Sequence, residues 1–401
     1  MMPRRPETLI MGSFMERIVA GIGKLENGYL RTHHAYNTRM AQPPNHSRRD
    51  FLQGRAAAHT LVDKAQAWVE TTSELLGLEA MSEKALHVRA SRRAMAADFV
   101  VQYHEQDHEV ADAMMSAFDL IEQLEAQMTI YRNASEIIEI NKSAFEKPMP
   151  VESELFALLE LATQINHATD GAFDITSGSL SRVWGFLQRK GRFPADEEIA
   201  AALARVGGNK VQLNSEHKTI RFLESDVEIN LNSIGKGYAL DQASRQLEQQ
   251  NITDYLWHGG GSSVLARGCN RADRHQAWTL GLPHPRNPDR RIAEFYLRDQ
   301  SLATAGGGTQ FFEHEGRHLS HIIDPRTGWP VEGVLTATVM APTAAEADAL
   351  ATAFFVMGTK AVESYCEAHT DIGAVLICPG KTFQSITVHE FGMKPEIWTR
   401  F

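Results

Sequence analysis

Cysteine is scarce in this chain. Of 401 residues three are cysteine, Cys269, Cys366 and Cys378. An odd count without metal-type spacing excludes a disulfide framework and a zinc knuckle, and fits a reducing compartment. No apolar run approaches the roughly 18 residues of a membrane helix. The N-terminus also lacks an apolar segment followed by a small-residue cleavage site. Basic charge is not in excess: 40 Lys and Arg stand against 50 Asp and Glu, a net charge of −10, which excludes a general nucleic-acid binder. Three catalytic signatures are missing as well. No G-x-G-x-x-G follows a strand, and Gly235-Lys236-Gly237 lacks the Ser or Thr of a phosphate loop. His258-Gly259-Gly260-Gly261 resembles a lipase oxyanion loop, but its G-x-S-x-G partner occurs nowhere.

What is present has an ordinary globular composition: 43% hydrophobic, 22% charged, 29 Gly and 15 Pro. The charge is unevenly laid out. Residues 1–60 carry nine Arg and Lys against four Asp and Glu, and the rest carries 31 against 46. Residues 1–46 are polar and irregular, while 56–82 show helical spacing through Leu61, Ala65, Trp68, Val69, Leu75 and Leu76. This divides the chain into a basic N-terminal extension over 1–85, partly disordered with a helical stretch, and a main domain over 86–401. Ser47-Arg48-Arg49-Asp50-Phe51-Leu52 resembles a twin-arginine export signal. The residues that follow, Gln53-Gly54-Arg55 and then His59 and Asp63-Lys64, interrupt the uncharged apolar stretch that such a signal requires. A cytoplasmic location is therefore the favoured reading.

Within the main domain, 86–90 and 94–101 alternate as strands. Residues 108–128 (Val110, Met114, Phe118, Ile121, Leu124, Met128) and 153–168 read as amphipathic helices. A hairpin is expected over 211–230, a helix over 236–250, and strands over 253–267, 276–282, 293–298, 309–313, 317–323 and 334–341. A helix over 344–357 follows. This is neither all-β nor a regular βαβ repeat, so the predicted class is α+β with mixed, largely antiparallel sheets and packed helices.

Local chemistry narrows the reading. His314-Glu315-Gly316-Arg317-His318 spells the zinc-protease pattern, which needs both histidines on one helix face. Strand-like residues flank it and Gly316 sits at its centre, so a hairpin turn is the physical expectation. Glu228 to Asp241 reads as a strand, a polar turn and a helix starting near Lys236, and N–H groups at a helix start with a lysine form an anion site. Asp348 and Thr352 are four apart and share a helix face. Their oxygens suit a hard divalent cation, or equally a dipole-complementing Asp beside a back-bonded Thr. Ser320 to Gly328 runs from a strand into an Asp-Pro turn, and Asp170 to Gly178 leaves a helix through glycine into a loop with an aromatic and a carboxylate.

Taken in order, these segments resemble the FAD:protein FMN transferase (ApbE) family over residues 90–360. Met95 with Ala96 stands where that family has its first Met-Gly-Thr strand, and Tyr131 with Ser135-Glu136 and Asn141 is similar to a further stretch. Ala172-Phe173-Asp174, Trp184-Gly185-Phe186, Asn230 to Asp241, the Gly259–Gly261 run, Leu302 to Gly306, His321 to Gly328 and Asp348 to Thr352 complete the series. Asn230 stands where the family commonly has Asp, and Ala305 where Ser is usual.

The resemblance implies an ApbE-like flavin transferase domain over 86–401 with FAD as substrate and Mg²⁺ as metal. Asp348, the Thr352 hydroxyl and the Ser233 carbonyl would hold the metal. Met95, Tyr131, Ala172, Phe173, Asp174, Asn230, Lys236 and Ile323 would line the flavin nucleotide site, and His321 would be the general base. The implied reaction moves FMN to a Ser or Thr hydroxyl of an acceptor protein, a redox-complex subunit or reductase, and releases AMP. Hydrolysis of FAD to FMN and AMP, and FAD binding without turnover, are the alternatives.

Overall fold

The computed structural model of the chain describes residues 87–104, 110–132, 134–188, 190–308, 310–382 and 385–401. The extension over 1–85, with its helical stretch and its Arg-Arg pair, lies outside the described residues.

Two strands, β1 (His87–Ala94) and β2 (Ala97–His104), open the domain as a hairpin in which Ala94 faces Ala97. Met95 and Ala96 between them both have positive φ, 51° and 59°, the turn geometry whose twist suits a two-residue hairpin loop. Helices α1 (Ala111–Met128) and α2 (Glu136–Ser143), the short β3 (Met149–Pro150) and α3 (Ser153–Ala168) follow. Next come α4 (Gly178–Val183), α5 (Asp196–Leu203) and the hairpin β4 (Val211–Asn214)–β5 (Thr219–Phe222). Helix α6 (Gly235–Glu248) leads into β6 (Tyr255–Gly259), β7 (Ser263–Arg267), β8 (Trp278–His284), β9 (Asn287–Leu297) and β10 (Gln300–Gly306). The chain finishes with β11 (Phe311–His314), β12 (Arg317–Ser320), β13 (Thr336–Ala341), α7 (Ala344–Ala368), β14 (Gly373–Pro379), β15 (Ile386–Phe391) and β16 (Trp398–Arg400).

Eight strands form the main sheet in the order β1-β2-β6-β7-β10-β13-β14-β15, and every neighbouring pair is antiparallel. Side-chain alternation along these strands builds two cores. Phe99, Trp257, Leu265, Val339 and Leu376 join the helices in the larger one. Leu256, Val264, Leu302, Met340 and Val375 point to the other face, against the three-stranded sheet β16-β9-β8. A third cluster gathers Leu180, Trp184, Phe186 and Ile199 against Leu319 and Ile323. The expected α+β class with antiparallel sheets is what the chain adopts.

Local departures from the sequence reading have physical causes. The hairpin expected over 211–230 ends at Phe222, and the chain is irregular from there to α6. Helix α7 breaks at Gly358 (φ 71°, ψ 176°), so its first segment ends where the apolar spacing stops. The zinc-protease pattern is, as expected, a hairpin turn: His314 pairs with Arg317, and Glu315 and Gly316 between them have φ of 49° and 77°. Helices α2, α4 and α5 span eight, six and eight residues, too short for periodicity to reveal. Among the described residues no helix is long and apolar enough to cross a membrane.

Candidate active site

The site is organised by the crossing of α6 and α7. A Cβ built on Gly237 would lie 2.0 Å from the Ala344 carbonyl oxygen, so only glycine allows the two helices to approach this closely. The crossing brings Asp348, on the second turn of α7, to the first turn of α6. There its Oδ2 accepts the Gly237 N–H at 2.7 Å, and Lys236 Nζ lies 3.8 Å from the same oxygen. Asp348 Oδ1 accepts the Ser263 hydroxyl at 2.5 Å. The carboxylate is 7% exposed. Thr352 lies one turn further along α7 and donates weakly to the Asp348 carbonyl at 3.4 Å. Ser233 belongs to the tight turn that starts α6, where Ile234 and Gly235 both donate to the Leu231 carbonyl.

The start of α7 is held with equal care. Thr343 caps it by accepting the Glu346 N–H at 3.2 Å, while its hydroxyl donates to Glu346 Oε2 at 2.8 Å. The next two N–H groups, from Ala344 and Ala345, donate to Asp241 Oδ1 and Oδ2, each at 2.8 Å. Burial pushes the Asp241 carboxyl up to about 6, against the lowering effect of those two N–H groups.

Irregular loops converge beside this crossing. Asn230 donates its N–H to the Ile175 carbonyl at 2.7 Å, which ties the turn before α6 to the Asp170–Gly178 loop. Its Oδ1 accepts the Asn232 N–H at 3.0 Å, and the Asn232 amide donates to the Tyr131 hydroxyl at 3.0 Å. Tyr131 is otherwise open, at 65% exposure. Asn141 clamps the same turn by bonding both the N–H and the carbonyl of Ile229, at 2.8 and 3.0 Å. Glu228 receives two bonds from Arg182, at 2.8 and 2.6 Å.

The sequence suggested that the 170–178 loop presents an aromatic and a carboxylate. In the fold both turn inward. Phe173 is 1% exposed and belongs to the larger core beside Ala172. Asp174 Oδ1 accepts the Thr176 N–H and hydroxyl, at 2.7 and 2.6 Å, and Oδ2 accepts from Asn166. Burial raises the Asp174 pKa, with the Thr176 hydroxyl opposing it most.

His321 follows β12 directly. Its N–H and its Nδ1 both meet the Gln310 carbonyl, at 2.9 and 3.1 Å. A carbonyl oxygen only accepts, so Nδ1 carries the proton and the lone pair belongs to Nε2. Burial lowers the His321 pKa, the Gln310 carbonyl opposes this, and the nearby Lys236 charge adds to it. Burial and the Lys236 charge both disfavour the protonated ring. After it, Asp324 to Gly328 forms a turn with Arg326 paired to Asp324, and the Gly328 carbonyl accepts the Trp184 indole N–H at 2.8 Å.

The fold thus joins Lys236, Asp348 and Thr352, places Ser233 on the adjoining turn, and sets His321 within reach of the Lys236 charge. Tyr131 and Asn230 meet through Asn232, and the Asn230–Ile175 bond ties their turn to the 170–178 loop, whose Ala172, Phe173 and Asp174 side chains are buried away from them. Met95 lies in the β1–β2 turn, half-buried against the larger core, and Ile323 packs in the third cluster. Ser263 and Asp241 escaped the residue-level reading. Asp241 had a signal, its fixed spacing after Lys236; Ser263 had none, because its contact with Asp348 depends on sheet order.

Residues 95–376 match the sequence model of the ApbE family. The chain belongs to this family. Among its ApbE relatives, the FAD:protein FMN transferase of Haemophilus influenzae is 30% identical over 306 residues, covering 72% of this chain and 86% of that one. The FAD:protein FMN transferase of Escherichia coli K12 is 32% identical over 260 residues, covering 63% and 72%. The solved flavin transferase ApbE of Vibrio cholerae superposes with a TM-score of 0.67 at 27% identity, covering 77% of this chain and 97% of that one. The ApbE protein of Thermotoga maritima gives 0.68 at 26% identity, over 76% and 97%.

Proposed function

We propose that the chain transfers FMN from FAD to a Ser or Thr hydroxyl of an acceptor protein and releases AMP, in a Mg²⁺-dependent reaction. The observation that carries this reading is the α6–α7 crossing. It puts a buried carboxylate, a lysine and the N–H groups of a helix start in one place, near a histidine whose protonated form burial disfavours.

The residues suit both groups. Among the described residues no cluster of three or more His, Cys, Asp and Glu could hold a metal. Mg²⁺ does not need one, since it binds through one or two carboxylates and keeps water and phosphate oxygens as its other ligands. Asp348, the Thr352 hydroxyl and the Ser233 carbonyl would hold it, and it would supply charge neutralisation at the pyrophosphate. Lys236 and the start of α6 would receive the pyrophosphate. Tyr131, Asn230, Ala172, Phe173, Asp174, Met95 and Ile323 would receive the rest of the nucleotide by the family resemblance, with the exposed Tyr131 hydroxyl and the Asn230 turn supporting this reading.

His321 accepts the acceptor hydroxyl's proton on Nε2 while Gln310 holds its Nδ1–H. The hydroxyl oxygen forms a bond to the FMN phosphorus, and the bond from that phosphorus to the AMP oxygen breaks. FMN remains in phosphodiester linkage on the acceptor. Its identity, a redox-complex subunit or a reductase, belongs to the same proposal.

Incubation with FAD, Mg²⁺ and Ser- or Thr-bearing acceptor peptides, read by intact mass and AMP release, tests the reading. An FMN-sized mass gain that His321→Ala suppresses supports it. AMP without a labelled peptide points to FAD hydrolysis, and bound FAD without AMP for any peptide overturns the transferase reading.

A further inference from the structure

Helices α6 and α7 exchange carboxylates. Asp348 of α7 caps an N–H at the start of α6, and Asp241 of α6 caps two N–H groups at the start of α7. The two acids look alike in sequence, yet the fold commits them differently. Both Asp241 oxygens are taken up by backbone N–H groups, 103 and 104 residues distant in the chain. Asp348 faces a hydroxyl, one N–H and a lysine ammonium that stands off at 3.8 Å.

Asp241 bonds the first two N–H groups of α7 and so sets where that helix begins. Asp348 and Thr352 lie four and eight residues after the first capped N–H, on the same rigid segment that ends at Gly358. A shift of the helix origin would move both oxygens relative to Lys236 and the Ser233 turn. Gly237 leaves no slack at the crossing, because a Cβ there would lie 2.0 Å from the Ala344 carbonyl oxygen.

We infer that Asp241 is the positioning residue of the metal site: it fixes the origin of α7 against α6 and so places Asp348 and Thr352. This rests on the proposed function only for the identity of the cation. Its structural half is independent of any ligand.

The test compares Asp241→Asn with Asp348→Asn in the full chain. Asparagine keeps the shape of the side chain but offers one acceptor for two N–H groups. Amide hydrogen exchange without FAD or Mg²⁺ is read first: the Ala344 and Ala345 amides should exchange about tenfold faster in Asp241→Asn and keep their parent rate in Asp348→Asn. Mg²⁺-dependent FAD binding is then followed by flavin fluorescence. The Mg²⁺ midpoint should rise about 10- to 100-fold in Asp241→Asn, as it does when a residue that orients a ligand is lost. Excess Mg²⁺ should restore parent FAD affinity in that variant but not in Asp348→Asn.

Should Asp241→Asn fail to fold, Ala344→Pro removes one donor and leaves the carboxylate intact. Proline is tolerated at the first helical position, and Thr343 before it is already extended, with ψ of 153°. It should move the Mg²⁺ midpoint in the same direction by a smaller factor. An unchanged midpoint in both variants, or a loss in Asp241→Asn that excess Mg²⁺ does not restore, overturns the inference. If the parent itself shows no Mg²⁺-dependent FAD binding, the functional reading falls and only the exchange result bears on Asp241.

Discussion

On one face of the eight-stranded sheet lie α1, α6 and α7; on the other lie β8, β9 and β16. Each face buries aromatic and aliphatic side chains from alternate positions of the same strands. Trp257 points one way and its neighbour Leu256 the other. The faces differ in what their covering elements leave unpaired. Strands use up their N–H groups on one another, whereas each helix start exposes several. On the helical face Asp241 and Asp348 answer such groups. On the strand face His258 is 1% exposed, and neither of its ring nitrogens has a hydrogen-bond partner among the described residues. Buried charge follows unpaired backbone, so the chemistry gathers where helices begin.

The largest effect that would sharpen this contrast is expected from Asp348→Ala. FMN transfer should fall on the order of a thousandfold if Asp348 holds the proposed Mg²⁺, which would contribute several kcal/mol to the transition state. Parent-like transfer rates would show that the helix crossing does not hold the metal. Trp278→Ala removes a fully buried indole from the strand face and should cost about 3–5 kcal/mol in denaturant unfolding. FAD affinity of the folded fraction should stay at the parent value; a change would mean that the two faces are coupled. Gly237→Ala drives a methyl into the Ala344 carbonyl and should destabilise by about 3 kcal/mol. Unlike Trp278→Ala, it should also weaken Mg²⁺-dependent FAD binding.

The smallest effects belong to His258. Replacing it by Leu removes a polar ring with unpaired nitrogens and should raise stability by about 1 kcal/mol. Burial holds the His258 pKa down at about 3, from an ordinary 6.5. The unfolded chain thus takes up a proton near pH 6.5 while the fold resists until about pH 3. The stability that neutral His258 permits is present above pH 6.5 and drains away as the pH falls. Thermal midpoints of parent and His258→Leu should therefore diverge in favour of the variant between pH 7 and pH 4. Parallel curves would mean that the ring is hydrated and titrates normally.

Much of this was legible before the fold. Helix α3 matches its apolar spacing, α6 starts one residue before the expected Lys236, and the first segment of α7 ends where Phe354, Phe355 and Val356 stop. The turn at Glu315-Gly316 followed from glycine between strand-like stretches. These are local facts, decided within a few residues by backbone freedom and side-chain periodicity. Asp348 with Thr352, and Lys236 at a helix start, could be picked out because one helix turn or one helix end defines each pair.

The inward turn of Phe173 and Asp174 was not legible. A loop's composition does not say which side of it will be covered, and here the larger core and the Thr176 and Asn166 groups supplied the cover. The same holds for Ser263. It meets Asp348 because β7 lies between β6 and β10 in the sheet, an order that pairings between distant segments settle. Sequence alone determined the elements, their hydrophobic faces and the kinds of oxygen and nitrogen available to the site, because these depend on near neighbours. Tertiary structure decided which carboxylate would cap the start of α7 and which would meet Ser263, Gly237 and Lys236. That choice required two helices 103 residues apart to cross at a glycine, where backbone contact, and no local preference, sets the distance.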